Sequence, residues 1–194
     1  MGQCNTCCAR LILLLLILPQ LPALAAEVTV RASRQGDTFY VEASVEIAAD
    51  VQLVWQVLTD YDDLPRFIPG LNSSRVISRS DNHVIIDQKG ESQVLFFTFP
   101  MEVRLAAEEF PYRTITSYAL AGNFKDMRNA YQLETNGAHV RLSYSGSMTP
   151  DFSVPPLIGT IAVRRNVERQ FGAMVDEIER RSRQAPELKN SFTK

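Results

Sequence analysis

The chain predicts an α+β fold, in which a curved antiparallel sheet of about seven strands surrounds one long C-terminal helix and two short helices follow the first main strand. Three observations carry this expectation. Segments of period two fill most of the chain, one helical spacing interrupts them near residue 50, and an amphipathic stripe about six turns long closes the sequence. With 45% hydrophobic and 22% charged residues in 194, the balance is that of an ordinary globular body with one core.

The first 25 residues differ from the rest. Arg10 is their only charge, LILLLLIL follows it, and Ala23-Leu24-Ala25 sets small residues where a signal peptidase cuts. Residues 1–25 therefore read as a secretory signal peptide, and the body is expected in the periplasm or outside the cell. A retained anchor is the competing reading, although Pro19 and Pro22 leave the apolar run short of the roughly 20 residues that span a bilayer. MGQCNT also fits a myristoylation pattern, with Cys4 as a second acyl site. Cys4, Cys7 and Cys8 all precede residue 25, so an exported body would hold no disulfide, thiolate metal site or cysteine nucleophile. The net charge is −2, and the basic clusters around Arg164-Arg165 and Arg180-Arg181 are interleaved with acids, which gives no footprint for nucleic acid.

The body, residues 27–183, opens with EVTVRAS and TFYVEASVEI around a Gln35-Gly36-Asp37 turn. In the second segment Phe39, Val41, Ala43, Val45 and Ile47 alternate with polar residues and predict one face on a core. Apolar residues at 51, 54, 55, 57, 58 and 61 then take helical spacing behind Asp50 as N-cap, and Pro65 marks a second short helix or a break. Six further strand segments are separated by Ser-Asp-Asn, Phe-Pro-Tyr and Asn-Gly-Ala turns and predict an antiparallel meander. Pro100 calls for an edge or a bulge in the longest of them. Behind Pro155-Pro156, Leu157, Thr160, Val167, Phe171, Val175 and Ile178 fall on one helical stripe. Residues 184–194 read as a polar tail. A single helix across a bent sheet tends to leave space, and an apolar cavity is expected there.

VWQVLTDYDDLPRFIPGLNSSRV resembles the opening of the START-like SRPBCC superfamily, nearest to its polyketide cyclase/dehydrase and coenzyme Q-binding branch. Trp55, Asp60-Tyr61 and Pro69-Gly70 carry the likeness, with IIDQKGE, LSYSGSMTPDFSVPPLIG and the last helix, over roughly residues 28–181. The resemblance implies a helix-grip fold with an elongated hydrophobic cavity that in some relatives holds a quinone, sterol or polyketide. It carries over no catalytic residue, and one fold hosts many activities.

The expected ligand-binding residues are Trp55, Leu95, Phe97, Phe99, Met101, Tyr131, Tyr144, Arg164 and Phe171. Phenylalanine and methionine side chains adapt to a loosely fitting apolar ligand. Trp55 reads either as a core anchor of the first helix or as a wall of the cavity mouth. Arg164 lies about 20° from Phe171 at 100° per residue, on the stripe, so its guanidinium should meet a carboxylate, a carbonyl or a polar ligand head, unless it snorkels to water. Asp60, Asp62 and Asp63 read as a solvated turn, His83 and His139 as turn-side surface residues, and Phe124 with Met127 as a flap or a plain turn. The expected partners are a hydrophobic small molecule and, transiently, a membrane surface. The chain is expected to act as a monomer without cofactor, metal or nucleic acid. The leading function is an exported binding or carrier protein for a lipid, isoprenoid quinone or similar molecule. A cyclase/dehydrase-type enzyme and an interaction module with a closed cavity stay open as alternatives.

Overall fold

The computed structural model describes residues 27–94 and 97–191, the side chains of 92–94, 97, 156–158 and 185–191 excepted. The leader and Leu95 lie outside the described residues, as do the side chains of Phe97 and Leu157.

Two strands, β1 (Thr29–Gln35) and β2 (Thr38–Ile47), form a hairpin and lead into helix α1 (Val51–Thr59). A 3-10 turn at Leu64–Arg66 precedes β3 (Leu71–Ser80), β4 (His83–Val94), β5 (Phe97–Phe110), β6 (Thr114–Gly122), β7 (Phe124–Asn136) and β8 (His139–Pro150). Helix α2 (Pro156–Ser191) closes the chain. The strands make one antiparallel sheet in the order β1-β2-β8-β7-β6-β5-β4-β3, so β8 returns to pair with β2 from Phe39↔Met148 to Ile47↔Val140. Eight strands replace the expected seven. The second short helix is a single 3-10 turn, because Pro65 at its start and Pro69 soon after leave no room to continue it. Helix α2 runs through the segment read as a tail, to Ser191.

The alternation in β2 behaves as expected. Phe39, Val41, Ala43, Val45 and Ile47 are buried, while Tyr40, Glu42 and Glu46 face outward. Helix α1 begins where the Asp50 carboxylate accepts the Gln52 N–H at 2.7 Å, and it buries Val54, Trp55, Val57 and Leu58. The aspartates after α1 lie at the turn and cap positions expected of them, with Asp62 exposed, and they also make ties to other elements. Asp60 and Asp63 both pair with Arg181 of α2, at 3.3 and 3.1 Å, and Asp62 accepts the Val76 N–H at 2.8 Å. They fasten α1 to α2 and to β3.

Helix α2 lies across the concave face. Its buried residues Val167, Phe171, Met174, Val175 and Ile178 join a cluster with Ile47, Val54, Val57, Ile86 and Leu142. That core fills one end of the sheet. At the other end the sheet parts. Strand β6 stops at Gly122, whose φ of 132° is closed to most side chains, and from Val103 back toward its start β5 has no strand on that side. Asn123 takes the missing strand's place. Its backbone N–H donates to Glu102 O at 3.0 Å, while its side-chain amide accepts from Glu102 N–H at 3.0 Å and donates to Pro100 O at 2.5 Å. Pro100 sits on this local edge, where a missing N–H costs no ladder bond.

Candidate functional site

Two chambers lie between the parted end of the sheet and the N-terminal half of α2. The inner one, about 180 Å³, is bounded by Leu58 and Tyr61 below, Met101, Leu105, Ser117, Asn129 and Tyr131 on the sheet, and Val167, Gln170 and Phe171 of α2. The outer one, about 150 Å³, is bounded by Phe39, Phe99, Phe124, Met148, Phe152 and Val163, among others. Met101, Met127, Tyr144, Val167 and Gln170 border both. Each chamber alone falls below the roughly 300–1,000 Å³ of sites for drug-sized ligands, and joined they reach its lower end. Two of the shared residues, Met101 and Met127, have flexible side chains of the kind that adapt to a loosely fitting apolar ligand.

The lining is mainly apolar, with Gln88, Asn166 and Gln170 at its border and a polar strip across the sheet. Ser117, Asn129, Tyr131 and Tyr144 come from the neighbouring strands β6, β7 and β8, on the inward positions of their alternation. Tyr144 Oη donates to Asn129 Oδ1 at 2.9 Å, and Asn129 Nδ2 donates to Ser117 Oγ at 3.3 Å. The Tyr131 and Tyr144 rings pack at 4.9 Å between centroids. Gly146 makes this arrangement fit, since a Cβ there would stand 2.3 Å from Tyr144 Oη and 3.1 Å from Asn129 Oδ1. Burial pushes the Tyr131 phenol up to about 12. Burial first and Tyr131 second push Tyr144 above the ordinary phenol range. Both hydroxyls therefore stay protonated at any physiological pH. No charged side chain among the described residues lines either chamber.

At the inner end, Tyr61 Oη and Glu109 Oε1 are buried without a hydrogen bond among the described residues. Burial and then the Glu109 carboxylate raise the Tyr61 phenol, while Glu109 Oε2 accepts Arg79 Nη1 at 2.8 Å. At the outer mouth Phe99 stacks on Phe152, with ring centroids 5.5 Å apart and planes 11° apart. The linker from β8 to α2 is held by Arg34, whose Nη1 donates to Val154 O at 3.1 Å and whose guanidinium lies 4.9 Å from the centre of the Phe39 ring.

Of the residues expected from sequence, Met101 and Tyr144 border both chambers, Tyr131 and Phe171 the inner and Phe99 the outer. Trp55 borders neither. It is buried under α1 and meets Tyr112 edge-on at 5.9 Å, because Leu58 and Tyr61 are the side chains that α1 and its exit turn toward the cavity. Arg164 borders neither and is half exposed, pairing with Glu168 at 3.6 Å. The stripe was extended straight along α2, whereas the face turned to the sheet rotates. From Val167 to Ile178 it is centred near Phe171 and Ile178, and toward the start it turns through Gly159 and Val163. The arginine of α2 that carboxylates surround is Arg181, with Glu177, Asp60 and Asp63. Phe124 and Met127 border the outer chamber from paired positions of β7, not from a flap. His83 and His139 start β4 and β8 and border neither chamber. Asn129, Ser117 and Tyr61 were not foreseen. Phasing β7 from Tyr131 would have found Asn129, and a lone glycine inside the strand at 146 was the signal for a close approach.

Solved structures of the same architecture extend over most of the chain. An aromatase/cyclase, Zhui, from Streptomyces sp. R1128 superposes with a TM-score of 0.65 at 19% identity, covering 76% of this chain and 98% of its own. A STAR-related lipid transfer protein from Xanthomonas axonopodis gives 0.61 at 15% identity, over 82% of this chain and 97% of its own. A START superfamily protein from Mycobacterium smegmatis gives 0.61 at 15% identity, over 73% and 97%. These likenesses establish the helix-grip, START-like fold. No curated protein sequence matches the chain significantly. Residues 47–175 match the family described as polyketide cyclase / dehydrase and lipid transport, from α1 and the 3-10 turn through the meander to the packed part of α2, and the chain belongs to that family.

Proposed function

We propose that the protein binds and carries a hydrophobic small molecule, a lipid, isoprenoid quinone or molecule of similar size, in the paired chambers between sheet and α2. One observation carries this reading. Beside the packed core, the N-terminal half of α2 and the sheet leave space between them bordered mainly by apolar side chains. Unfilled apolar space in a core costs roughly 20–25 cal/mol per Å³, so a fold that keeps it at a narrow mouth is arranged for an occupant. The family's range, from cyclases to lipid transport, supports an apolar ligand and leaves open what is done to it.

The lining favours carriage over catalysis. A general base working near neutral pH needs a carboxylate, imidazole or amine poised at the substrate, and the chambers offer phenols, amides and a serine hydroxyl held neutral. The leader motif further supports delivery of the chain across a membrane, so the carrier would work outside the cytoplasm. Native mass spectrometry of protein purified from its own host, followed by extraction into organic solvent, should release one apolar species at near-stoichiometric yield. A mass spectrum of the intact chain should begin at Ala26. An apo protein that takes up neither fluorescent lipid nor quinone would defeat the carrier reading, and an intact Met1 would defeat export.

A further inference from the structure

The polar strip specifies more about the occupant. Tyr144, Asn129 and Ser117 satisfy one another in a chain of hydrogen bonds. Tyr131 stands in the same strip, borders the inner chamber, and makes no hydrogen bond through its hydroxyl among the described residues. Among the described residues no charged side chain borders this chamber. A hydroxyl that lines an apolar chamber gains from a ligand acceptor, and a carboxylate or ammonium entering where the lining carries no countercharge loses its hydration without replacement.

We propose that the ligand is uncharged and presents a carbonyl or hydroxyl oxygen that accepts a hydrogen bond from Tyr131 Oη, while its apolar body extends past Met101 and Met127 into the outer chamber. This inference rests on the carrier reading and narrows it: ketones, quinones and alcohols fit, and free fatty acids and other anions are excluded. Tyr131 selects ligands that carry an acceptor over those that carry none, and the uncharged lining disfavours anions. Burial supports the role, because it keeps the phenol protonated as a donor across the physiological range.

Three probes with one two-ring body separate the possibilities: acetylnaphthalene with a carbonyl acceptor, ethylnaphthalene with none, and naphthoate with a charge. Binding to the full chain is measured by tryptophan and tyrosine fluorescence or calorimetry. Acetylnaphthalene should bind on the order of tenfold tighter than ethylnaphthalene, the worth of one good hydrogen bond, and naphthoate weakest. Tyr131→Phe removes an unbonded hydroxyl and keeps the ring, so the fold should persist, which circular dichroism checks. This variant should bind ethylnaphthalene unchanged and lose the advantage of the acetyl probe. Infrared spectroscopy supplies a second readout, a carbonyl stretch lowered on binding to the wild type and restored in Tyr131→Phe. Naphthoate binding as tightly as the ketone, or an acetyl preference that survives Tyr131→Phe, overturns the assignment while leaving the carrier reading intact. If none of the three binds, both fall together.

Discussion

The two halves of α2 rest on one sheet and do opposite things. From Met174 onward the helix is packed: Val175 and Ile178 are buried in a cluster with Ile47, Val54 and Val57, and Arg181 ties the helix to the turn after α1 through Asp60 and Asp63. From Gly159 to Met174 the helix borders two chambers, and the linker ahead of it is held by the Phe99–Phe152 stack and by Arg34. Stability and capacity are thus placed at different ends. A closely packed end can hold the helix in position while the other end leaves its apolar faces unmatched, which a uniformly packed helix could not do.

The sharpest way to break the comparison is to truncate one side chain at each end. Ile178→Ala, at a position with no exposure, should cost about 2–5 kcal/mol in chemical denaturation. Met127→Ala, at a partly exposed position beside space already present, should cost less than Ile178→Ala and raise probe uptake. Equal losses would mean that the two ends are not distinct. Arg181→Met tests the fastening and should cost about 1–3 kcal/mol, because it leaves Glu177, Asp60 and Asp63 facing one another. The loss should shrink in Asp60→Asn/Arg181→Met, as a double-mutant cycle will show.

The closed end should also carry a measurable acid sensitivity. Hydrogen bonds from Arg180 first, and Arg181, hold the Glu177 carboxyl down at about 2, from an ordinary 4.5. A depressed folded value stabilises the protein above the unfolded pKa, and that stabilisation is lost as pH falls from about 4.5 toward 2. Solvent at the rim of the pair screens it, so the loss should be about 1–2 kcal/mol. Glu177→Gln should flatten this part of the stability profile, and an unchanged slope would remove Glu177 from the account. The smallest effect belongs to Arg164→Met. With a half-exposed pair to Glu168 as its only ion pair among the described residues, it should change stability by less than about 0.5 kcal/mol and leave ligand uptake untouched.

The element order was legible in the sequence because each element has a local cause. The alternation from Phe39 to Ile47, the Asp50 cap and the apolar spacing after Val51 are readable within ten residues. The cavity was legible only as a tendency, since whether Met101 and Phe171 touch or stand apart depends on sheet curvature and on every side chain between them. Arg164 shows where local reading ends. Its angle to Phe171 follows from helix geometry alone, but the direction from which the sheet approaches the helix does not. Tyr61 falls on the apolar spacing of the first helix, so its burial was legible, while its place at the inner chamber depends on the turn at Leu64.

The side chain of Asn123 has a consequence for the behaviour of the protein in a crowded compartment. A barrel wall that splits open ordinarily bares hydrogen-bonding groups that could recruit a neighbouring molecule's strand. Here one amide occupies those groups at Glu102 and Pro100, and the proline ring offers nothing further to bind. Asn123 thus covers the backbone of Glu102 and Pro100 where β5 would otherwise offer an edge to a neighbouring strand.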